Sequence, residues 1–437
     1  MEPTSCAALP YDVEGGFELA PVERLFCELV AIDAPSLSER AMADRVRSEL
    51  ERIGFYVTED STAGADDGMV TALTQSRRVT RSLEGMIPGG LRSLRLLHTG
   101  SNAGNLFASI GGAGEPILFL VHLDTVQPAH GKRAVVRADG RIESVGNTVL
   151  GADCLGGVAA VLAAVERLEA EGVVHRPVEL ACMVAEEIGN VGARAFDFGR
   201  VQAPLSYTLD YAADPNCYAY QAPTIIYITA DVAGRAAHAG FEPEKGVSAI
   251  KIAAEAIDHI DVGRIDAETT ANVGLISGGR GTNIVPSTCI VRAEVRSYNH
   301  AKAVEQAEHM KSLFEAAARA EGGAVEVTLT EACRAYRIDA SSPVVRHFER
   351  ACASLGMEAQ GASTFGGSDN NIAVACGIPG IVIANGMRLP HSTREYVEPG
   401  DLRRIQELVE ALLTEGLDAQ NGTDYLADSF RLARTAQ

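Results

Sequence analysis

With 437 residues, 46% of them hydrophobic and 22% charged, the chain has the composition of a soluble globular protein long enough to build more than one core. Its formal net charge of −20, from 58 acidic against 38 basic residues, repels phosphate backbones and anionic lipid surfaces and argues against nucleic-acid and membrane partners. Nine cysteines without C-x-x-C spacing suit reduced thiols, and the opening MEPTSCAALPYDVEGGF has no basic segment followed by an apolar run, so the expectation is a cytoplasmic protein.

Leu25, Phe26, Leu29 and Val30, then Met42, Val46 and Leu50, recur at helical spacing, so residues 21–54 read as an amphipathic helical segment. From Ser61 to Ser101 the chain is rich in Gly, Ser, Thr and Arg without periodicity and reads as a long surface excursion. At Ile117 a short apolar run, ILFLV, ends directly in His122 and Asp124. The arrangement repeats: Val178–Val184 runs into Glu186 and Glu187, Leu205–Leu209 ends in Asp210, and IPGIVIANG (378–386) precedes His391. Helical stretches such as Val158–Glu171 lie between the runs. The alternation predicts an α/β fold, a mostly parallel mixed sheet flanked by helices. In such a sheet, polar residues just beyond the carboxyl ends of strands are where ligands bind.

Residues 214–330 have another rhythm: strand-like TIIYITADVAG, a helix over Val247–Ile260, strand-like ANVGLISGG and STCIVRAEVRS, and a helix over His300–Ala318. That pattern fits a smaller α+β domain inserted into the larger one. The expected organisation is a catalytic domain in two parts, 1–213 and 331–437, around an insertion at 214–330.

The polar residues at the strand ends have the chemistry of a metal pair with a separate base. Such a site needs nitrogen and carboxylate ligands, one of them shared, and a base that is not itself a ligand. His122 and Asp124 stand two apart in VHLDTV, suited to a ligand and a carboxylate that orients its ring, or to a polar loop. Asp153 in LGADCLGG is placed to cap a helix or to bind metal. Of the adjacent Glu186 and Glu187, one can bind metal while the other takes the proton of the attacking water, or the pair forms a solvated turn.

Taken together, the segments HLDTV, GADCLGG, AEEIGNVG, YTLD and HSTRE resemble the zinc-dependent exopeptidases and deacylases, the family of peptidase T, carboxypeptidase G and aminoacylase, with the peptidase T branch nearest. The resemblance runs from FCELVAIDAPSLSER to PHSTREYV. It implies two divalent metal ions, zinc foremost with manganese or cobalt compatible. One would be held by His122, Asp153 and Asp210, the other by Asp153, Glu187 and His391, with Asp153 shared. Glu186 is then the general base and Asp124 the support of His122. In GRAAHAGFEPEKGVSAI the resemblance gives His238 a place in a neighbouring subunit's site, and hence a homodimer. Asn283 and Arg296 would bind a substrate carboxylate, to which a guanidinium fork is well matched. The Gly366-Gly367-Ser368-Asp369 stretch would line the pocket, with Gly367 letting backbone reach the ligand. Arg296 as a surface strand residue, and that stretch as a turn, are the plainer alternatives.

In one respect the chain departs from the family: the lysine usual after the shared aspartate is Leu155, in Asp153-Cys154-Leu155. Cys154 is a poor candidate ligand beside hard carboxylates and imidazoles. The activity implied is hydrolysis of amide bonds in short peptides, as an aminopeptidase or tripeptidase. A deacylase or amidase of N-acyl amino acids is the nearest alternative, and a non-catalytic binding relative the alternative of another class.

Overall fold

A computed structural model describes residues 9–62, 101–417, 423, 424 and 426. The excursion expected at 61–101 lies, apart from its ends, outside the described residues. Where one helical segment was expected over 21–54 there are two helices, α1 (Pro21–Val30) and α2 (Arg40–Ile53). Pro35 explains the break, because its ring pushes the preceding residue out of the helical region. The freed segment is used: Pro35 forms a parallel bridge with Thr125, and the Ser36 hydroxyl donates to Asp124 Oδ2 at 2.7 Å.

The large sheet is built from β1 (Tyr56–Glu59), β2 (Leu106–Ile110), β3 (Ile117–His122), β4 (Val178–Met183), β5 (Ser206–Tyr211), β6 (Cys217–Ala222) and three later strands, the first of them the two-residue Tyr336–Arg337 at its edge. A second sheet holds β7 (Thr224–Ala233), β8 (Thr269–Gly278), β9 (Thr288–Ser297) and β10 (Ala324–Cys333). The chain then returns to the large sheet with β11 (Gln360–Ser363) and β12 (Gly380–Ala384). At the centre of the large sheet, β4, β3, β5 and β12 lie side by side and parallel. Antiparallel strands finish its edges, β2 and β1 beyond β4, and β6 beyond β12. The sheet is thus mixed with a parallel heart, as expected.

Both faces of the parallel strands are covered, which is why they read as unbroken apolar runs rather than as alternation. In β3, Ile117, Phe119 and Val121 point into the main core, while Leu118 and Leu120 join a second cluster with Phe196 and Phe198. The main core also takes in α1, α2, α7 (Pro343–Ser354) and α9 (Asp401–Thr414), grouped around the buried helix α3 (Ala152–Glu171). The second sheet is antiparallel throughout and packs one face on α5 (Ala249–Asp258) and α6 (His300–Ala320), forming a core of its own. Among the described residues no helix is long and apolar enough to cross a membrane.

Helix α3 fixes the depth of everything at the strand ends. A Cβ on Gly156 would lie 2.1 Å from the carbonyl oxygen of Asn385, just after β12, and one on Gly157 would lie 2.7 Å from Cβ of Leu209 in β5. The helix therefore begins in direct contact with two backbones, and only glycine fits there. Gly156→Ala is expected to lower unfolding stability by about 1–3 kcal/mol through overpacking, read as a lower urea midpoint. An unchanged midpoint would show that the contact yields freely.

Candidate metal centre

The carboxyl ends of the parallel strands bring their polar residues to one place. His122 closes β3, Asp210 lies near the end of β5, Glu186 and Glu187 follow β4, and His391 follows β12 at φ 58. Asp153 enters from the start of α3, where φ −79 and ψ 100 depart from helical values. The helix N-cap is Gly151 at φ 84, so Asp153 is not the cap and its carboxylate is turned to other use.

That carboxylate is divided between two histidines. Its Oδ1 lies 3.1 Å from His122 Nε2, and its Oδ2 lies 3.1 Å from His391 Nε2. Asp210 Oδ1 is 3.8 Å from His122 Nε2, and Glu187 Oε2 is 3.0 Å from His391 Nε2. Two imidazole-carboxylate groups thus share one aspartate. His122 Nδ1 donates to the carbonyl oxygen of Asp124 at 2.9 Å, which fixes the ring and turns Nε2 toward the carboxylates.

Asp124 does more than orient His122. Its carboxylate accepts from Glu186 N at 3.0 Å and Glu187 N at 3.2 Å as well as from Ser36, while its nearest oxygen is 3.5 Å from His122 Nδ1. It thereby holds the Glu186-Glu187 turn beside the β3 end. Glu395, within the HSTRE segment, plays the matching part for α3. It accepts from Leu150 N, Gly151 N and Asp153 N at 2.8, 2.7 and 3.0 Å, satisfying donors that the helix start leaves unpaired. Buried Lys132 donates to Thr125 Oγ1 at 3.1 Å; burial pulls its ammonium down to about 8 against the charges of Glu395 and Asp33. Cys154 is buried and donates from Sγ to Leu209 O at 2.8 Å; burial pushes its thiol well above the ordinary value.

The residues fit metal ions. Ligand atoms of His122, Asp153 and Glu187 lie within 4.8 Å of one another, as do those of His122, Cys154 and Asp210. Glu187 Oε1 is buried without a hydrogen-bond partner, a costly state that a cation relieves. Charge leads to the same conclusion. Burial, reinforced by neighbouring carboxylates, pushes Glu186, Glu187 and Asp210 above the usual carboxylate range. Asp153 is held below it in spite of burial, by hydrogen bonds from His122 and His391. A set of imidazoles and carboxylates suits zinc, manganese or cobalt.

Glu186 is 9% exposed. Its Oε1 accepts from Asn190 Nδ2 at 2.9 Å, and the same nitrogen donates to buried Asp369 at 3.0 Å. Burial pushes the Tyr227 hydroxyl in β7 up to about 12, with the charges of Arg296, Glu294 and Glu186 all acting on it.

The remaining sequence candidates fall into two further groups. Arg296 and Gly367 meet at the junction of the sheets. Arg296 binds both oxygens of Glu294, at 2.9 and 3.0 Å, and donates to Phe365 O at 2.9 Å. A Cβ on Gly367 would lie 2.8 Å from Ile225 Cδ1 and 3.0 Å from Cys333 Sγ, so a side chain here would require the ends of those two side chains to give way. His238 and Asn283 are neighbours on an exposed rim of the second sheet. His238 bridges Ile284 and stacks on Phe241 with ring centroids 4.1 Å apart, and Asn283 O accepts from Ala239 N. Sequence reasoning gave no individual role to Ser36, Lys132, Asn190 or Glu395, although Ser36, Asn190 and Glu395 lie within FCELVAIDAPSLSER, AEEIGNVG and HSTRE, and it read Asp369 only as part of a pocket-lining stretch.

Residues 222–322 match the peptidase dimerisation domain. The chain is 33% identical over 392 residues to the Bacillus subtilis protein YqjE, covering 89% of this chain and 96% of that one. Among solved structures it resembles the aminopeptidase PepT from Bacillus cereus, at 33% identity and a TM-score of 0.71 over 90% of this chain and 97% of that one. It also resembles a tripeptidase from Staphylococcus aureus, at 28% identity and a TM-score of 0.76 over 94% and 98%. The chain belongs to the metallo-exopeptidase family that includes peptidase T and carboxypeptidase G. As a member of this family it is a metal-dependent hydrolase of peptide bonds.

The electrostatics of this peptidase fold predict proton-linked metal loading. Without metal, Asp153 and then Glu187 push His391 up to about 10, so its imidazole is protonated at pH 7. Burial opposes the charge on His122, yet the surrounding acids hold it well above its ordinary value. Coordination requires neutral imidazole and ionised carboxylate, so loading displaces protons. Metal affinity should rise roughly tenfold per pH unit for each proton displaced, continuing until pH passes about 10 for His391. Calorimetry in buffers of differing ionisation enthalpy should show net proton release at pH 7, and an affinity indifferent to pH would contradict the assignment.

Proposed function

We propose that this chain is a di-zinc aminopeptidase of short peptides, with Glu186 as general base. The observation that carries the reading is the division of the Asp153 carboxylate between His122 and His391, with an unshared glutamate beside it. His122, Asp153 and Asp210 would hold one ion, and Asp153, Glu187 and His391 the other. When bound, the ions supply Lewis-acid polarisation of the scissile carbonyl and stabilise the charge that develops on its oxygen.

The protein's own groups carry the proton. Glu186 takes one proton from the attacking water as the oxygen-carbon bond forms, and returns it to the amine nitrogen as the carbon-nitrogen bond breaks. Burial and the adjacent Asp210, Asp369 and Glu187 charges raise its basicity, which brings a carboxylate toward the pH at which a base works best. Asp124 keeps the Glu186-Glu187 turn in register, and Glu395 does the same for Asp153.

Preference for a free amino terminus is supported by likeness to the aminopeptidase and the tripeptidase along nearly their whole lengths. Asn283 and Arg296 would bind the substrate carboxylate and Gly367 would line the pocket. For Arg296 this requires that a substrate share it with Glu294. The dimerisation-domain match supports a homodimer in which His238 serves the neighbouring site, consistent with its exposed position. The described cysteines are free, which suits the cytoplasm. The inserted domain, expected at 214–330, would correspond more nearly to the segment between Pro223 and Arg334, because β6 (Cys217–Ala222) pairs within the large sheet and β7 and β10 bound the second one.

The test is turnover of a panel of dipeptides, tripeptides and N-acyl amino acids by zinc-loaded protein, read by mass spectrometry. Free amino-terminal residues should be released, and Glu186→Ala should reduce kcat by about 10²–10⁴-fold with metal content retained. Release only of acyl groups would replace the aminopeptidase by a deacylase. Full activity in the variant would remove Glu186 as the base.

A further inference from the structure

Asn190 begins α4 (Val191–Ala195) with φ 57, a left-handed conformation that asparagine tolerates better than most residues. Its backbone is tied to the turn it serves, since Asn190 N donates to Glu186 O at 2.8 Å and Arg194 N donates to Asn190 O at 3.0 Å. Its side-chain nitrogen donates to Glu186 Oε1 and to Asp369 Oδ1. One buried amide therefore stands between two buried carboxylates that would otherwise repel each other.

Asp369 opens helix α8 (Asp369–Ala375), and this helix is fastened to the second sheet from both ends of its first turn. Asn371 Nδ2 donates to Pro223 O at 3.1 Å and Arg334 O at 2.9 Å. Those two carbonyls mark where the chain enters the second sheet, before β7, and where it leaves, after β10. Just upstream, the Phe365 ring lies 4.5 Å from that of Tyr298 and 4.6 Å from the Arg264 guanidinium, and its carbonyl takes the bond from Arg296. Three residues lie between Phe365 and Asp369. The second domain cannot shift without carrying Phe365 and Asn371, and so Asp369, with it.

We propose that Asn190 is a positioning residue that presents Glu186 to the reacting water, and that α8 makes its hold on Glu186 depend on the placement of the small domain. The plain alternative is that Asn190 only satisfies two buried acids. The kinetic test rests on the hydrolase reading; the crystallographic test does not.

Asn190→Gly keeps the positive φ and removes the amide; Asn190→Asp keeps the shape and removes the donor, and serves if the glycine variant fails to fold. Each should retain two metal ions per chain by elemental analysis, with KM within about twofold and kcat lower by about 10–100-fold. A crystal structure of the zinc-loaded variant should show the Glu186 carboxylate displaced. Wild-type kcat, or a Glu186 left in place, would overturn the positioning role. For the coupling, Asn371→Ser should lower kcat in the wild-type background and add little in Asn190→Gly, whereas losses that multiply in full would overturn it. Should the wild type cleave nothing in the peptide panel, the hydrolase reading fails and the position of Glu186 still decides the role of Asn190.

Discussion

Everything at this site depends on one electrostatic constraint: Asp124, Asp153, Glu186 and Asp369 are all buried and converge with Glu187 and Asp210 at the end of one sheet. Buried carboxylates are strongly disfavoured unless each finds a counter-charge or donors. The fold answers with several kinds of partner, some of them shared. Backbone N–H groups serve Asp124 and Glu395, imidazoles serve Asp153 and Glu187, and a single amide serves Glu186 and Asp369. The raised values at Glu186, Glu187 and Asp210 show where this compensation remains incomplete. That residual demand for positive charge is one that cations bound among these imidazoles and carboxylates would meet.

The scaffold supplies the geometry through contacts that tolerate little change. Four parallel strands, covered on both faces, bring His122, the Glu186-Glu187 turn, Asp210 and His391 to one level. Gly156 and Gly157 let α3 begin against the strand ends, so that Asp153 arrives from the helix side and can face both histidines. The second sheet is tied to the segment before α8, where Arg296 donates to the Phe365 carbonyl.

Much of this was legible in the sequence, for a physical reason. Strands buried on both faces leave continuous apolar runs, and polar residues at the ends of such runs are conspicuous, so 117–122, 178–183, 206–211 and 380–384 could be read with their terminal His, Glu and Asp residues. What local pattern could not convey were partners distant in sequence. Ser36 bonds Asp124 from 88 positions away, Asn190 bonds Asp369 across 179, and Glu395 bonds Asp153 N across 242. The interruption between α1 and α2 was also missed, because apolar spacing on either side of Pro35 suits one helix as well as two. Asp124 shows the limit within a motif. Its adjacency to His122 was clear, but its bonds to the Glu186-Glu187 turn follow only from the register of β3 against β4.

The central claim is that Asp153 serves two metal ions at once, and metal stoichiometry tests it directly. Native mass spectrometry of the zinc-loaded chain should find two ions in the wild type, and in Asp153→Asn, confirmed as folded by circular dichroism, the pair should be lost together. A variant that still holds two ions would contradict the shared carboxylate on which the account rests.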